Sequence, residues 1–369
     1  MVSLFRKKAF PIGLDIGSSS IKMIQIGGCG SGERIIAAEQ VDLTPDIRND
    51  NELKRDFAVC AIKEMLSRGG FQGKDVISCL PNGSVKNKSM RVTIGEDDET
   101  DDINRQLAAR LGLDADKDEI RHLLAGRVMQ GDDVKSEVIC FGVGKETIDS
   151  HIDLLEESGL VPVGLDAVPC SILRSVRRSL RRQADREKNR FYIDLGSKYT
   201  TVIAGGENGL SFIKQIPMGG NLLNEAVSRC LEVDINRSIE LRRKLQCGND
   251  SINSSTRRAL IDAMRDVNEE LAREISMCMR YYAVTFRGHS PDEALLSGGE
   301  AYEQTLVNAL KRRLGVDVEV AHPLRGFDIE KTDLTMSGDG SMCEWAVAIG
   351  AGIKGRDSLA IGSQKYARN

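Results

Sequence analysis

Between residues 12 and 26 apolar side chains alternate along two short runs, Ile12-Gly13-Leu14-Asp15-Ile16 and Ser20-Ile21-Lys22-Met23-Ile24-Gln25-Ile26. A Gly17-Ser18-Ser19 turn joins them, and this pattern predicts a β-hairpin whose tip carries a carboxylate, hydroxyls and backbone N–H groups. The chain repeats the pattern at residues 191–204, where Asp194, Gly196 and Ser197 take the places of Asp15, Gly17 and Ser18. One such hairpin is ordinary, but two in the same chain are informative. The groups at each tip are those that a magnesium-bound phosphate chain needs, and two tips facing each other would clasp a triphosphate from both sides.

Elsewhere the apolar spacing changes to a helical period. Leu53, Phe57, Cys60, Ala61 and Met65 predict a helix that stops at Gly69-Gly70, followed by a buried strand from Val76 to Leu80. Residues 138–143 read as a strand, Ile148, Ile152 and Leu155 as one helix face, and residues 160–165 as another apolar strand. This strand–helix–strand rhythm is α/β. A helix is expected from Pro169 to about Arg182, a strand over 210–216, helical segments to about Leu245, and a long helix over 256–286. A short strand over 293–296 runs into Ser297-Gly298-Gly299-Glu300, and residues 345–352, rich in small side chains, predict a tightly packed helix.

Length makes this a chain of several cores. At 369 residues it suits two domains of average size. Residues 1–80 with 135–190 are expected to form the first, residues 191–340 the second, and residues 341–369 a helix returning to the first plus a polar tail. Residues 81–134 change character, with an acidic run at 96–102 and helix-like stretches at 103–111 and 119–124, and read as an inserted subdomain. A solvated loop is the simpler account of the acidic run itself.

The net charge of −4 gives no global pull toward nucleic acid or an anionic membrane. The basic stretch 174–190 lacks the interleaved aromatics that stack bases and reads as a solvated helix end. Nine cysteines, scattered singly without a CxxC pair, suggest reduced thiols, and no run approaches signal-peptide or membrane-spanning length. The four histidines are isolated, and no GxxxxGK[ST] motif occurs.

The order of hairpin, second hairpin, Gly219-Gly220 turn, Gly298-Gly299-Glu300 after a strand, and small-residue helix resembles the actin-like ATPases. The narrower resemblance is to the PilM family of type IV pilus assembly, carried by residues 15–22 (DIGSSSIK), 139–166 and 216–223 (IPMGGNLL). That resemblance implies an actin-like, ribonuclease H-like α/β fold of duplicated domains with a cleft between them. It also implies ATP and Mg2+ as cofactors, with Asp15 and Asp194 holding the metal through water. Gly17, Ser18, Ser19, Gly196 and Ser197 would donate to the phosphates. Lys22 would add charge there or else be a solvated strand residue. Glu240 and Arg243 stand where relatives carry a Glu and a Lys reaching the ribose, though three apart on a helix they also suit a surface ion pair. Gly219 and Gly220 would approach the nucleotide, and Gly298, Gly299 and Glu300 would line its adenine side.

The position two after Asp166, where relatives place a Glu or Gln near the attacking water, is Val168. Valine cannot orient a nucleophile, so binding is better supported than hydrolysis. Asp166 is the substitute catalytic candidate, or a cap of the following helix. The implied partner is the N-terminal cytoplasmic tail of a PilN-like inner-membrane protein, which would bring a cytoplasmic protein to the inner face of the membrane. Homo-oligomers are compatible with this reading. The rivals are a small-molecule kinase of the same superfamily and a nucleotide-free scaffold.

Overall fold

The computed structural model describes residues 9–366 except 29–31, 94–99, 131–132, 181, 183–184, 186–187, 207–208, 249–251, 287–290 and 330–339. Residues 96–99 of the acidic run, Cys29, Arg181, Arg186 and His289 therefore lie outside it. The chain divides into two compact units, residues 1–82, 148–179 and 322–369 in one, and 83–147 and 180–321 in the other.

The first unit is built on a five-stranded sheet. β1 (Ile12–Ile16) pairs antiparallel with β2 (Ser20–Gly28), which pairs with β3 (Glu33–Asp42); on its other side β1 runs parallel to β4 (Asp75–Leu80), and β4 to β8 (Val161–Ala167). Alternation decides what covers each face. Ile12, Leu14, Ile16, Ile21 and Met23 pack with Ala58, Ile62 and Met65 of α2 (Asn51–Arg68) and Leu154 and Leu155 of α4 (Lys145–Glu157). A short α1 (Pro45–Asn49) leads into α2, whose first N–H groups are capped by the Asp50 carboxylate at 2.9 and 3.0 Å.

On the opposite face lie α5 (Val168–Ser179) and the last helix, α10 (Ala346–Tyr366). Ile24 and Ile26 of β2 pack there with Trp345, Ala348, Ile349 and Ile353. Close approach needs glycine: a Cβ on Gly13 would stand 2.1 Å from the Ala348 carbonyl, and one on Gly350 would stand 1.9 Å from the Ser171 carbonyl.

His151 of α4 is 6% exposed, and its Nε2 lies 2.8 Å from the Ser78 hydroxyl of β4. Burial pushes the imidazole pKa down from 6.5 to about 4. The folded state thus prefers the neutral ring, so this contribution to stability is complete above pH 6.5 and is lost as pH falls through that window. Between pH 7 and pH 5 it amounts to about 2 kcal/mol. In urea titrations at both pH values His151→Gln is expected to lose less stability than the wild type; an equal loss would rule out this histidine as the source.

The second unit repeats the topology. β9 (Arg190–Leu195) pairs antiparallel with β10 (Thr200–Gly206), which pairs with β11 (Gly209–Ile216); β9 also runs parallel to β12 (Glu293–Ser297), and β12 to β13 (Asp317–Val320). Leu223 and Val227 of α6 (Gly220–Leu231), Leu241 of α7 (Ile235–Gln246) and Leu260 and Met264 of the long α8 (Ser254–Phe286) form a core beside it, and α9 (Gln304–Leu314) precedes β13.

The insert differs from its sequence reading. It is an antiparallel sheet ordered β5-β7-β6, with β5 at Lys86–Val92, β6 at Asp118–Gln130 and β7 at Asp133–Gly144, covered by α3 (Thr100–Leu111). Residues 119–124, expected to be helical, are strand because their partner β7 pairs along their whole length, and pairing outweighs a weak local signal. Residues 138–143, assigned from the sequence to the first domain, lie in the central strand of this sheet, so the insert extends beyond 134. The Ser89 hydroxyl accepts from the Ile213 N–H at 3.4 Å, which ties β5 to β11.

Candidate functional site

Both hairpin tips have the same backbone geometry. The Gly17 N–H donates to the Ser20 carbonyl at 3.0 Å, and the Gly196 N–H donates to the Tyr199 carbonyl at 3.1 Å. A Cβ would come within 2.9 Å of that carbonyl at Gly17 and 2.8 Å at Gly196. The amides of these two glycines thus donate inside their own turns. The residues that follow in each turn, Ser18 and Ser19 in the first and Ser197 in the second, carry hydroxyls.

Register places the side chains. Asp15 pairs with Lys22 on β2 and with Cys79 on β4, and Cys79 pairs with Asp166 on β8, so these four share one face. Burial raises the Asp15 carboxyl pKa, while Lys22 and Lys54 of α2 oppose the rise. Lys22 is buried and its Nζ donates to the Ser20 hydroxyl at 2.5 Å, which removes the solvated reading. The Ser19 carbonyl accepts from the Leu43 N–H at 2.9 Å and from Arg48 at 3.5 Å, anchoring the tip to the start of α1. Lys54 carried no sequence signal, because only the tertiary fold brings α2 toward Asp15.

Asp166 has a different occupation from the catalytic one expected. Its carboxylate accepts from the Ser171 hydroxyl at 2.7 Å, Arg174 at 2.7 Å, Lys354 at 3.2 Å and the Ala167 N–H at 3.0 Å. Burial works against the charge, but Arg174 and Lys354 hold the carboxyl below its usual range. Arg174 also donates to the Gly350 carbonyl at 2.9 Å, so the network fastens α10 to α5 and β8. Val168 is buried. Arg178, from the basic stretch, pairs with Glu33 and lies 3.5 Å over the Phe327 ring, an internal role.

In the second unit Asp194, 9% exposed, faces Thr201 and Ser297 across the sheet, and its Oδ1 accepts from the Ser297 hydroxyl at 3.0 Å. The counterpart of Lys22 is thus Thr201, and that of Cys79 is Ser297. The Gly219-Gly220 turn is stitched to the second tip: Gly220 N–H donates to Gly196 carbonyl at 3.1 Å and Asn221 N–H to Ser197 carbonyl at 2.7 Å. A Cβ on Gly219 would lie 2.3 Å from the Gly196 carbonyl. Gly298 has φ +87°, and a Cβ there would meet the Leu195 carbonyl at 2.4 Å; Gly299 begins the short 3-10 helix that carries Glu300. Among the described residues the buried Ser197 Oγ has no hydrogen-bond partner.

Glu240, nearly half exposed, accepts from Arg237 and Lys244, each at 2.6 Å. Arg243 is exposed, whereas Arg242 beside it is buried and reaches Glu300 at 2.5 Å and the Gly220 carbonyl at 3.1 Å. Nothing in the sequence separates Arg242 from its basic neighbours except that it shares a helical face with Ser238.

Residues 13–355 match the family of type IV pilus assembly protein PilM. The chain belongs to the PilM family. Its fold is similar to that in a solved PilM-PilN type IV pilus biogenesis complex, with a TM-score of 0.77 and 21% identity over 94% of this chain and 98% of that one. It is also similar to ethanolamine utilization protein EutJ from Carboxydothermus hydrogenoformans, with a TM-score of 0.56 and 13% identity over 96% of this chain and 92% of that one. The fold is the actin-like α/β fold of duplicated sheets. Among the described residues no helix is long and apolar enough to cross a membrane.

Proposed function

We propose that this PilM family protein is an ATP-binding adaptor of type IV pilus assembly, which takes the N-terminal cytoplasmic tail of a PilN-like inner-membrane protein in a nucleotide-dependent way. The observation that carries the nucleotide part is the repeated Asp-x-Gly-Ser tip, with matching turn hydrogen bonds at Gly17 and Gly196. The partner part is supported by family membership and by the PilM-PilN complex among similar solved structures.

Each tip, taken by itself, carries groups of the kind that Mg-ATP needs. Among the described residues the buried Ser197 Oγ has no hydrogen-bond partner, Lys22 is a buried cation with hydrogen-bond capacity beyond Ser20, and Ser18 and Ser19 lie at the first tip. Asp15 and Asp194 would hold magnesium through water, since this ion takes few direct carboxylates, and no cage of three or more His, Cys, Asp or Glu occurs among the described residues. The ion would neutralise phosphate charge. Asp15, whose ionisation is opposed by burial, would be stabilised as a carboxylate by a nearby cation.

Val168 and the commitment of Asp166 to Arg174 and Lys354 favour binding over turnover. Membrane recruitment would then come through the partner. Calorimetric titration is expected to show ATP binding that needs magnesium, with hydrolysis slow at most. Absence of binding at saturating Mg-ATP would select the nucleotide-free scaffold, and turnover that rises with a small-molecule acceptor would select the kinase.

A further inference from the structure

We propose that Arg242 is a positioning residue of the second unit's nucleotide half-site, holding the Gly219-Gly220 turn and the Glu300 carboxylate in one frame. The inference rests on the nucleotide reading above for its ligand, but not for its geometry. Arg242 is 3% exposed and carries its charge into the interior, an arrangement that is costly unless every donor is used. Its Nη1 donates to the Gly220 carbonyl at 3.1 Å and to Asn224 Oδ1 at 2.8 Å. Nη2 reaches Glu300 at 2.5 Å and Glu303 at 3.4 Å, and Nε lies 3.2 Å from Met264 Sδ.

What these bonds join matters more than their number. Gly220 opens α6 directly after the turn that is bonded to the Gly196 and Ser197 carbonyls of the second tip. Glu300 belongs to the turn after β12, 58 residues beyond Arg242 in the chain. Its Oε1 lies only 1.8 Å from where a Gly220 Cβ would be. One planar guanidinium therefore fixes both turns at once, and behind it Glu303 accepts from Thr305 at 2.8 Å and Thr305 from Asn268 at 2.9 Å. A lysine could keep the charge beside Glu300 and Glu303 but could not fork to the Gly220 carbonyl as well.

Arg242→Lys separates positioning from charge balance. Hydrogen–deuterium exchange is expected to quicken at least tenfold at the Gly220 and Asn221 amides relative to the rest of the unit, and Mg-ATP affinity to fall about tenfold. Should Arg242→Lys fail to fold, the charge-matched double variant Arg242→Gln with Glu303→Gln gives the same two readouts with the same expectation. Exchange at these amides within twofold of wild type, or an increase spread evenly over the unit, would overturn the proposal. If the wild type binds no nucleotide, the ATP-binding reading fails by itself, and the exchange result still decides whether Arg242 fixes the turn.

Discussion

Gly350→Ala is expected to destabilise the first unit by roughly 3 kcal/mol or more, at the upper end of what overpacking costs. The added methyl would lie 1.9 Å from the Ser171 carbonyl oxygen and 2.5 Å from its carbon. Both atoms belong to helix backbone, which cannot swing away as a flexible side chain would. Relief requires α10 to move off α5, and the Arg174 bonds to Asp166 and to the Gly350 carbonyl resist that motion. Trp345, the single tryptophan, is buried in the adjoining cluster with Phe327 and Ile349. Its fluorescence in a urea titration should therefore report a lowered midpoint, and a midpoint equal to wild type would refute the close packing of these helices.

Asp194→Ala is expected to weaken Mg-ATP binding by roughly 30-fold or more, the range for truncating one partner of a desolvated charge pair. The residue is almost enclosed, with the Ser297 hydroxyl on one oxygen, so its removal takes away the carboxylate without opening the sheet. The specific signature is loss of the magnesium requirement: ATP measured with and without EDTA should differ strongly for wild type and little for the variant. Calorimetric affinity equal to wild type in magnesium would contradict the assignment of Asp194.

The duplicated sheet was legible because period-two alternation and the repeated Asp-x-Gly-Ser tip are local signals. Both hairpins follow from it, while the strands at 76–80 and 293–296 follow from short apolar runs and the helices after residues 51, 168 and 254 from helical spacing. β3 was missed, since Glu33–Asp42 mixes charged and apolar residues on a strand exposed along one edge. In the insert, residues 119–124 taken alone read as helix, and it is their pairing with the following strand, β7, that makes them part of β6. At the site, sequence located the turns but not their wiring. Gly17 and Gly196 spend their amides internally, Asp166 is held by a helix from the far end of the chain, and Arg242 rather than Glu240 or Arg243 turns inward. Each of these depends on which helical or strand face is buried, and adjacent basic residues at 242–244 give no local sign of that.

The central claim is a nucleotide-dependent adaptor, and the most direct measurement is fluorescence anisotropy of a labelled N-terminal tail peptide from a PilN-like protein. It should be titrated with the protein in Mg-ATP, without nucleotide, and with Asp194→Ala in Mg-ATP. The account predicts that the tail binds tightest to wild type in Mg-ATP, with affinity falling at least tenfold in the other two conditions. Equal affinity in all three, or no binding of the tail at all, would contradict it.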